Sequence, residues 1–274
     1  MKQLLISFFI IVATFGLRAE TEEITAQDSS KVATSSNSVQ LKDIIYQAQL
    51  EYQDGNFRKV IEILEAEIKE QKENGYVSPE LYYNLGNAYF RMNEFADAIL
   101  NYERAQLYAP GDRDITHNIE YTQTKIEDKI LTADNFFLKI WFDGLQNLLP
   151  SNSWAIISIV FFLVFVACLF LFFFSPALKL KKAGFYIGIV LFVSLIFTNI
   201  FAFRQKGKIE TRDTAIVMAG SAPVVSSPNT TSKELFILHS GTKVVITKTD
   251  GEWYEIEIAN GSVGWVQKEK VEII

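Results

Sequence analysis

Cysteine and histidine are almost absent from this sequence. Cys168 is the one cysteine, which excludes an intrachain disulfide and a metal site built from paired thiols. The two histidines, His117 and His239, are far apart, so their spacing indicates neither a metal cluster nor a Ser-His-Asp arrangement. The glycine-rich loops that hold nucleotide phosphates are missing as well. We therefore expect that the protein is not an enzyme and that it needs no cofactor and no metal.

A concentrated basic patch is also missing. The net charge is -6, and acidic residues outnumber basic ones between Glu20 and Pro150. Nucleic-acid binding selects clustered lysine and arginine, so that class of partner is not expected. Apolar residues, in contrast, are abundant: 49% of the chain is hydrophobic and the mean hydropathy is +0.13. This composition indicates that part of the chain lies in a membrane.

The first residues have the pattern of an export signal. Lys2 precedes an apolar run of about 12 residues, which is too short to cross a bilayer and is typical of a signal-peptide core. We predict a signal peptide over residues 1–19, cut after Ala19. Residues 20–40 are rich in serine and threonine and poor in apolar side chains, which predicts a flexible leader.

Residues 41–131 are rich in helix formers, with apolar side chains three and four positions apart. Part of this region has the spacing of a tetratricopeptide repeat, W-x-x-L-G-x-x-Y followed by A-x-x-x-F and P. The matching residues are Tyr82, Leu85, Gly86, Tyr89, Ala98, Tyr102, Ala105 and Pro110. The stretch around Phe57 has the pattern of a degenerate upstream repeat, and the segment after Pro110 that of a capping helix. The sequence thus predicts a short array of antiparallel helices.

A helical array of this kind binds peptide segments through the first helix of each repeat. The polar candidates for such a groove are Asn84, Asn87 and Arg91, with Gln49 equivalent to Asn87 in the degenerate repeat. An equally good interpretation is that the asparagines are solvated or form hydrogen bonds between repeats. A clamp for a peptide carboxylate is disfavoured, because Arg91 is the only basic residue suitably placed.

Residues 132–150 contain an amphipathic stretch. Phe137, Trp141, Leu145 and Leu148 lie three or four residues apart, as one face of a helix requires. The stretch precedes a long apolar run, which favours an interfacial helix with Trp141 at the depth of the lipid headgroups. The alternative is a helix packed beneath the repeats.

Two uncharged apolar runs, residues 154–174 and 183–203, are each long enough to cross a bilayer as a helix. The loop between them, residues 175–182, carries three lysines and no acid, which predicts a cytoplasmic loop. The basic residues of the connector, 204–213, argue for the opposite orientation, but the export signal supports the first. Two spans place the soluble regions on one side, which the export signal predicts to be the outer side of the membrane. Cys168 is expected to face lipid or the neighbouring helix.

In residues 214–274 the apolar pattern changes to a period of two, which predicts five or six short strands in a small barrel. The glycines and tryptophans fall at the positions of a bacterial SH3 domain, with Val225 where that pattern has arginine. The signature residues are Gly241, Trp253, Gly264 and Trp265. We expect Trp265 to lie in the core rather than on a ligand surface.

The predicted fold class is multi-domain: an all-α tetratricopeptide-repeat array, two transmembrane helices and a small all-β SH3-like barrel. This order of segments resembles BatE, the repeat-protein family of the Bat aerotolerance operon. The resemblance implies a membrane-anchored adaptor or scaffold of the bacterial cell envelope, linked to aerotolerance or stress survival. Its implied partners are proteins: von Willebrand A-type Bat proteins and a MoxR-type ATPase system. The alternative is a peptidoglycan-binding or cell-wall hydrolase accessory protein that acts through the SH3 domain.

Overall fold

The computed structural model describes residues 40–75, 77–130 and 137–274. The predicted signal peptide and residues 20–39 of the predicted leader lie outside the described residues. The chain divides into two compact units, Met1–Asn56 and Phe57–Ile274. In the first unit, residues 40–53 form helix α1. The second unit contains the remaining helices and all of the strands described below.

The second unit begins with four helices: α2 (Phe57–Glu73), α3 (Pro79–Arg91), α4 (Phe95–Tyr108) and α5 (Arg113–Gln123). The ends of these helices follow local capping chemistry. Helix α3 starts where the hydroxyl of Ser78 accepts a hydrogen bond from the backbone N–H of Glu80, with proline in the first turn. Helix α5 starts where the carboxylate of Asp112 accepts from the backbone N–H groups of Asp114 and Ile115.

Helices α3 and α4 form an antiparallel pair. Tyr82 at the start of α3 stacks on Tyr108 at the end of α4, and Phe90 at the end of α3 contacts Phe95 at the start of α4. At the crossing, a Cβ atom added to Gly86 would lie 2.6 Å from the ring of Tyr102. The two helices therefore approach closely because glycine occupies this position, as the repeat pattern requires.

Three further helices follow: α6 (Phe137–Gln146), α7 (Ser151–Phe174) and α8 (Leu178–Thr211). Helices α7 and α8 are long and apolar enough to cross a membrane, and they pack as a hairpin. Cys168 is buried against the neighbouring helix, where a Cβ atom on Gly184 would lie 2.8 Å from the carbonyl oxygen of Cys168. The amide of Asn199 donates to the hydroxyl of Ser158 at 2.7 Å, which links the two helices by a polar contact.

Helix α6 packs against the hairpin through Phe142. The ring of Phe142 lies 5.0 Å from that of Phe201, and the guanidinium of Arg204 lies 5.3 Å from the Phe142 ring centre. The predicted apolar stripe does not make this contact: Phe137 and Trp141 are about two-thirds exposed. The two faces of α6 thus differ, since one contacts α8 and the other leaves large apolar side chains exposed.

The C-terminal region is one antiparallel sheet of seven strands in the order β3-β2-β6-β5-β4-β1-β7. The strands are β1 (Thr214–Val217), β2 (Ala222–Val225), β3 (Glu234–Leu238), β4 (Lys243–Asp250), β5 (Trp253–Glu257), β6 (Val263–Gln267) and β7 (Val271–Ile273). The sequence pattern predicts five or six strands, and the additional one is the short β7, which pairs with β1.

The core of the sheet is formed by alternate residues of the strands, including Val224, Val244, Ile256 and Val266. A Cβ atom on Gly264 would lie 2.5 Å from a methyl carbon of Val224, so this glycine lets β6 approach β2. With the helical repeat and the two long apolar helices, this sheet confirms the predicted fold class.

Candidate functional site

Asn87, predicted for the peptide groove of the repeat, has its side-chain carbonyl in hydrogen bonds within the helices. It accepts from the hydroxyl of Tyr102 at 2.7 Å and from the amide of Asn118 at 3.1 Å. The same Asn118 amide lies 3.2 Å from the hydroxyl of Tyr83, to which it donates. These contacts join α3, α4 and α5. They agree with the alternative given above, in which the asparagine forms hydrogen bonds within the helical array.

The other predicted groove residues lie apart from this network. The guanidinium of Arg91 lies 4.8 Å from the ring centre of Phe57, an arrangement that favours a cation–π interaction. Asn84 is half-buried on α3, and Gln49 is exposed on α1 in the first compact unit. A peptide-binding role for these four residues stays a prediction.

The repeat and the sheet share an apolar cluster that the sequence did not indicate. Ile99 and Leu100 of α4 pack with Ile216 of β1 and with Ile274, and all four are at most 3% exposed. The backbone N–H of Ile274 donates to the carbonyl of Thr214 at 3.0 Å, which fixes the end of β7 beside β1. Burial of side chains this large stabilises by roughly 1.5–3 kcal/mol each, so the cluster holds α4 against the sheet.

Two charged contacts flank the apolar cluster. The guanidinium of Arg104 donates to the carboxylate of Glu272 at 2.7 Å and to the carbonyl of Ile273 at 2.9 Å. The ammonium of Lys243 lies 2.6 Å from the carboxylate of Glu103, which is only 7% exposed. Each pair has one largely buried partner, Glu103 or Arg104, and the loss of hydration on burial offsets much of the attraction between the charges. These contacts therefore fix the orientation of the two parts more than they stabilise it.

A third contact joins the segment after α5 to the loop between β3 and β4. One carboxylate oxygen of Asp128 accepts from the backbone N–H of His239 at 2.7 Å and from the hydroxyl of Thr242 at 2.6 Å. The other oxygen lies 2.7 Å from Nδ1 of the His239 ring. The carboxylate of Glu127 lies 3.5 Å from the second ring nitrogen.

This contact shifts the pKa values of Asp128 and His239 in opposite directions. Burial alone would raise the pKa of Asp128, but the hydrogen bonds from Thr242 and His239 outweigh it and lower that pKa below its ordinary range. The hydrogen bond to Asp128 raises the pKa of His239 above its ordinary value, and the charges of Asp128 and Glu127 act in the same direction. The arrangement therefore favours a charged pair of Asp128 and His239.

Gly241, one of the predicted SH3 signature residues, lies at this same contact. Its φ of +92° is in the left-handed region, as a glycine turn requires. A Cβ atom at this position would also lie 2.5 Å from a methyl carbon of Ile126. The glycine therefore shapes the turn and admits the segment that follows α5.

The predicted SH3 tryptophans lie on the outer face of the sheet. In β6 the buried residues are Gly264 and Val266, and the alternation of a strand places the partly buried Trp265 on the opposite face. The expectation that Trp265 lies in the core is therefore wrong. Trp253 lies on the same outer face, and so does Val263, which is 46% exposed.

The contacts between repeat and sheet had no local signal in the sequence. Asp128 and His239 are 111 positions apart, and Ile99 has the same apolar pattern as a residue packed inside the repeat. Within residues 40–75, 77–130 and 137–274, no group of three or more His, Cys, Asp or Glu side chains is placed to hold a metal ion. The expectation that the whole protein needs no metal stays a prediction.

Two family models match the chain. The model described as Tetratricopeptide repeat matches residues 79–112, and the model described as Bacterial SH3 domain matches residues 221–272. No curated protein matches the chain. The repeat match contains Ile99 and Leu100 of the apolar cluster, whereas Ile216 and Ile274 flank the SH3 match on either side. The chain thus contains a tetratricopeptide repeat and a bacterial SH3 domain, two kinds of module typical of adaptor and scaffold proteins.

Proposed function

We propose that this protein is a membrane-anchored adaptor or scaffold of a bacterial cell-envelope complex and has no enzymatic activity of its own. The observation that supports this function is the packing of the repeat against the SH3 domain next to the apolar hairpin. The shared cluster around Ile99 and Ile216 holds two interaction modules in a fixed orientation. A fixed pair of modules presents a continuous surface to a partner and loses little freedom on binding.

The link from the hairpin to the SH3 domain also supports an anchoring role. Helix α8 continues past the predicted span to Thr211, so the segment predicted as a connector is mostly helical. Eight further residues of helix add about 12 Å before β1 begins at Thr214. The amide of Gln205 and the ammonium of Lys208 bind the end of α6 through Gln146 and Asn147. These contacts favour a module held close to the membrane surface.

In our proposal the hairpin lies in the inner membrane and both modules face the periplasm. The export signal in the sequence and the three lysines near the hairpin turn support this orientation. The finer assignment is a BatE-like role, with von Willebrand A-type Bat proteins and a MoxR-type ATPase system as partners and a link to aerotolerance. The repeat and the SH3 domain, in this order around an apolar hairpin, support that assignment.

Affinity purification tests the adaptor function. The tagged full chain is cross-linked in intact cells, extracted in mild detergent and analysed by mass spectrometry. We expect a reproducible set of envelope proteins, including the von Willebrand A-type proteins and the ATPase. A Gly86→Leu chain, which disrupts the crossing of α3 and α4 but leaves the hairpin unchanged, serves as the control and should lose these proteins. Equal recovery from both chains, or no enriched protein, contradicts the proposal.

A second candidate function is peptidoglycan binding through the SH3 domain. The outer face of the sheet carries Trp253 and Trp265 beside exposed apolar side chains, and partly exposed tryptophan is common in binding surfaces. Co-sedimentation of the full chain with purified murein sacculi tests it. Retention should fall in a Trp265→Ala chain and persist in a Trp141→Ala chain, whose exposed tryptophan lies on α6. No retention of the wild-type chain rejects this candidate.

A further inference from the structure

A groove runs along the repeat on the side formed by α2, α3 and α4. Its volume is about 310 Å³, and one residue of the SH3 domain, Glu272, completes its wall. The floor is buried and is formed by Ile68, Tyr82, Leu85, Leu100 and Asn101. We call it the α2–α4 groove. Asn84, Asn87 and Arg91, the residues predicted for peptide binding, do not line it.

The two ends of the α2–α4 groove carry opposite charge. At one end lie the carboxylates of Glu65 and Asp97, and the hydroxyl of Tyr89 donates to Glu65 at 2.7 Å. Burial and the neighbouring Glu94 raise the pKa of Asp97. A cation would relieve both effects, and two acids line this end, so this end favours a cation. The charges of Glu65 and Asp97 both act on the Tyr89 hydroxyl, so the two acids lie near this side chain in the wall of the groove.

The opposite end carries basic residues. Lys72 lies seven residues after Glu65 on α2, and Arg104 lies seven residues after Asp97 on α4, so the two ends are about 10 Å apart. The ammonium of Lys72 lies 5.9 Å from the ring centre of Tyr82. Burial lowers the pKa of Lys72, and Arg104 lowers it further despite the presence of Glu272. Because the side chains of Lys69, Lys72 and Arg104 line this end, it favours an anion.

The floor between the charged ends contains an unsatisfied polar group. The amide nitrogen of Asn101 donates to the backbone carbonyl of Asp97 at 2.9 Å. The amide oxygen has no hydrogen-bond partner among the described residues, although the residue is only 4% exposed. A buried acceptor without a donor is unfavourable, so Asn101 is a position where an N–H group of a ligand would bind.

We propose that the α2–α4 groove binds an extended peptide segment of about three or four residues with a basic side chain at one end and an acidic side chain at the other. The length follows from the separation of about 10 Å and a rise of about 3.3 Å per residue in an extended chain. The basic side chain lies at Glu65 and Asp97, the acidic one lies at Lys72, and a backbone N–H donates to Asn101. This inference rests on the proposed adaptor function and names the chemistry of the partner segment.

Because Glu272 lines it, the α2–α4 groove is a composite site that contains residues of both the repeat and the SH3 domain. Arg104 is held by Glu272 and by the carbonyl of Ile273, both from the end of the SH3 domain. The SH3 domain thereby sets the charge at the basic end of a groove that lies in the repeat. Glu272 pairs with Arg104 and leaves Lys72 as the cation for the acidic side chain of the peptide, so the charge at this end depends on the packing of the SH3 domain against the repeat.

Binding of short peptides to the purified full chain in detergent tests the proposal. The probes are acetylated and amidated tetrapeptides: Lys-Ala-Ala-Glu, Glu-Ala-Ala-Lys, Lys-Ala-Ala-Lys and Glu-Ala-Ala-Glu. Line broadening of the peptide NMR signals measures binding from the micromolar to the millimolar range. At least one mixed-charge peptide should bind about fivefold or more tighter than either like-charged peptide, because it gains one ion pair and loses one like-charge contact. Equal affinity for all four, or no binding, overturns the proposal.

Two variants locate the binding. Glu65→Lys should weaken the preferred peptide about fivefold or more, whereas Glu62→Lys, an equal change on an exposed part of α2 outside the groove, should not. Asn101→Leu removes the unpaired acceptor at similar volume, so it should weaken binding without lowering the thermal midpoint. Wild-type affinity in Glu65→Lys or in Asn101→Leu overturns the proposal. Because purified protein is used, this failure rejects the peptide site alone. The adaptor function is tested separately by the co-purification experiment.

Discussion

Single residues decide how closely the elements of this protein approach each other. Gly86 and Gly241 both lie where a side chain would not fit. An added Cβ atom would meet the ring of Tyr102 at Gly86 and a methyl group of Ile126 at Gly241. Tyr102 is only 2% exposed and its hydroxyl is bonded to Asn87, so the ring has little room to move. Gly207, in contrast, has no heavy atom within 4 Å of an added Cβ among the described residues.

This contrast gives a prediction for two helical glycines. Gly86→Ala places a methyl group 2.6 Å from the Tyr102 ring and should lower stability by about 1–3 kcal/mol, as overpacked sites do. Gly207→Ala meets no such contact and should stabilise α8 by about 0.5–1 kcal/mol, because alanine favours a helix. Thermal midpoints of the two full-length variants in detergent measure the difference. A Gly86→Ala midpoint at or above that of wild type contradicts the assigned crossing of α3 and α4.

The contact of Asp128 with His239 predicts a pH dependence of stability. The folded pKa of His239 is raised, so its contribution is complete below the ordinary value of 6.5 and is lost as the pH rises through the folded pKa. The pKa of Asp128 is lowered, so its contribution is present above the ordinary value of 3.8 and is lost as the pH falls through the folded pKa. The contact is therefore strongest in mildly acidic solution.

Thermal unfolding of the full chain between about pH 5.5 and 8.5 measures the histidine effect. The wild-type midpoint should fall as the pH rises, and the slope should become smaller in a His239→Gln chain. His117→Gln is the matched control, since His117 is exposed on α5 and stacks on Tyr121. If the two variants have the same pH profile, the charged contact does not stabilise the protein.

At the scale of elements, local patterns predicted the fold and long-range contacts limited the prediction. The repeat spacing around Gly86 and Pro110 reflects packing between adjacent helices, so it is visible in one stretch of sequence. The apolar runs of α7 and α8 are equally local. The extension of α8 to Thr211 was missed because polar helix formers there resemble a linker. Nothing in the residues of β7 shows that it pairs with β1.

The candidate site was harder to predict than the fold. The sequence indicated the first helix of each repeat, whereas the α2–α4 groove is lined by three helices and by Glu272. Its charge pattern arises because α2 and α4 each carry an acidic and a basic residue seven positions apart on either side of α3. Such a pairing depends on which helices are neighbours. For the same reason, the position of the partly buried Trp265 on the outer face could be read only from the register of β6.

The orientation of the apolar hairpin can be tested by cysteine labelling. In a Cys168→Ala chain, cysteines replacing Glu62 on α2 and Asn260 in the SH3 domain should react with an impermeant maleimide in intact spheroplasts. A cysteine replacing Lys179, near the turn between α7 and α8, should react only after the membrane is permeabilised. All three positions are exposed. Labelling of Lys179→Cys in intact spheroplasts, or protection of one of the other two, contradicts the proposed topology.

At the scale of the whole molecule, the repeat and the SH3 domain behave as one body in the unit Phe57–Ile274. The apolar cluster around Ile99 and Ile216 excludes water, and charged contacts at Arg104, Lys243 and Asp128 surround it. Two modules joined only by flexible linkers would bind partners independently, with a gain set by effective concentration. Modules packed together instead place Glu272 permanently at the α2–α4 groove. The fixed orientation is therefore a condition for the composite site.

A disulfide across this interface tests the fixed orientation. The carboxylate of Asp128 lies 2.6 Å from the hydroxyl of Thr242, and both side chains are short, so cysteine sulfurs at these positions would lie close to each other and need only a small movement to bond. In a Cys168→Ala chain, Asp128→Cys with Thr242→Cys should oxidise readily and close a loop that changes the mobility on a non-reducing gel. The control pair, Asp128→Cys with Ser262→Cys, places the second thiol in the loop between β5 and β6 and should stay reduced. Equal oxidation of the two pairs would mean that the modules move freely, and no oxidation of the first would mean that they are apart.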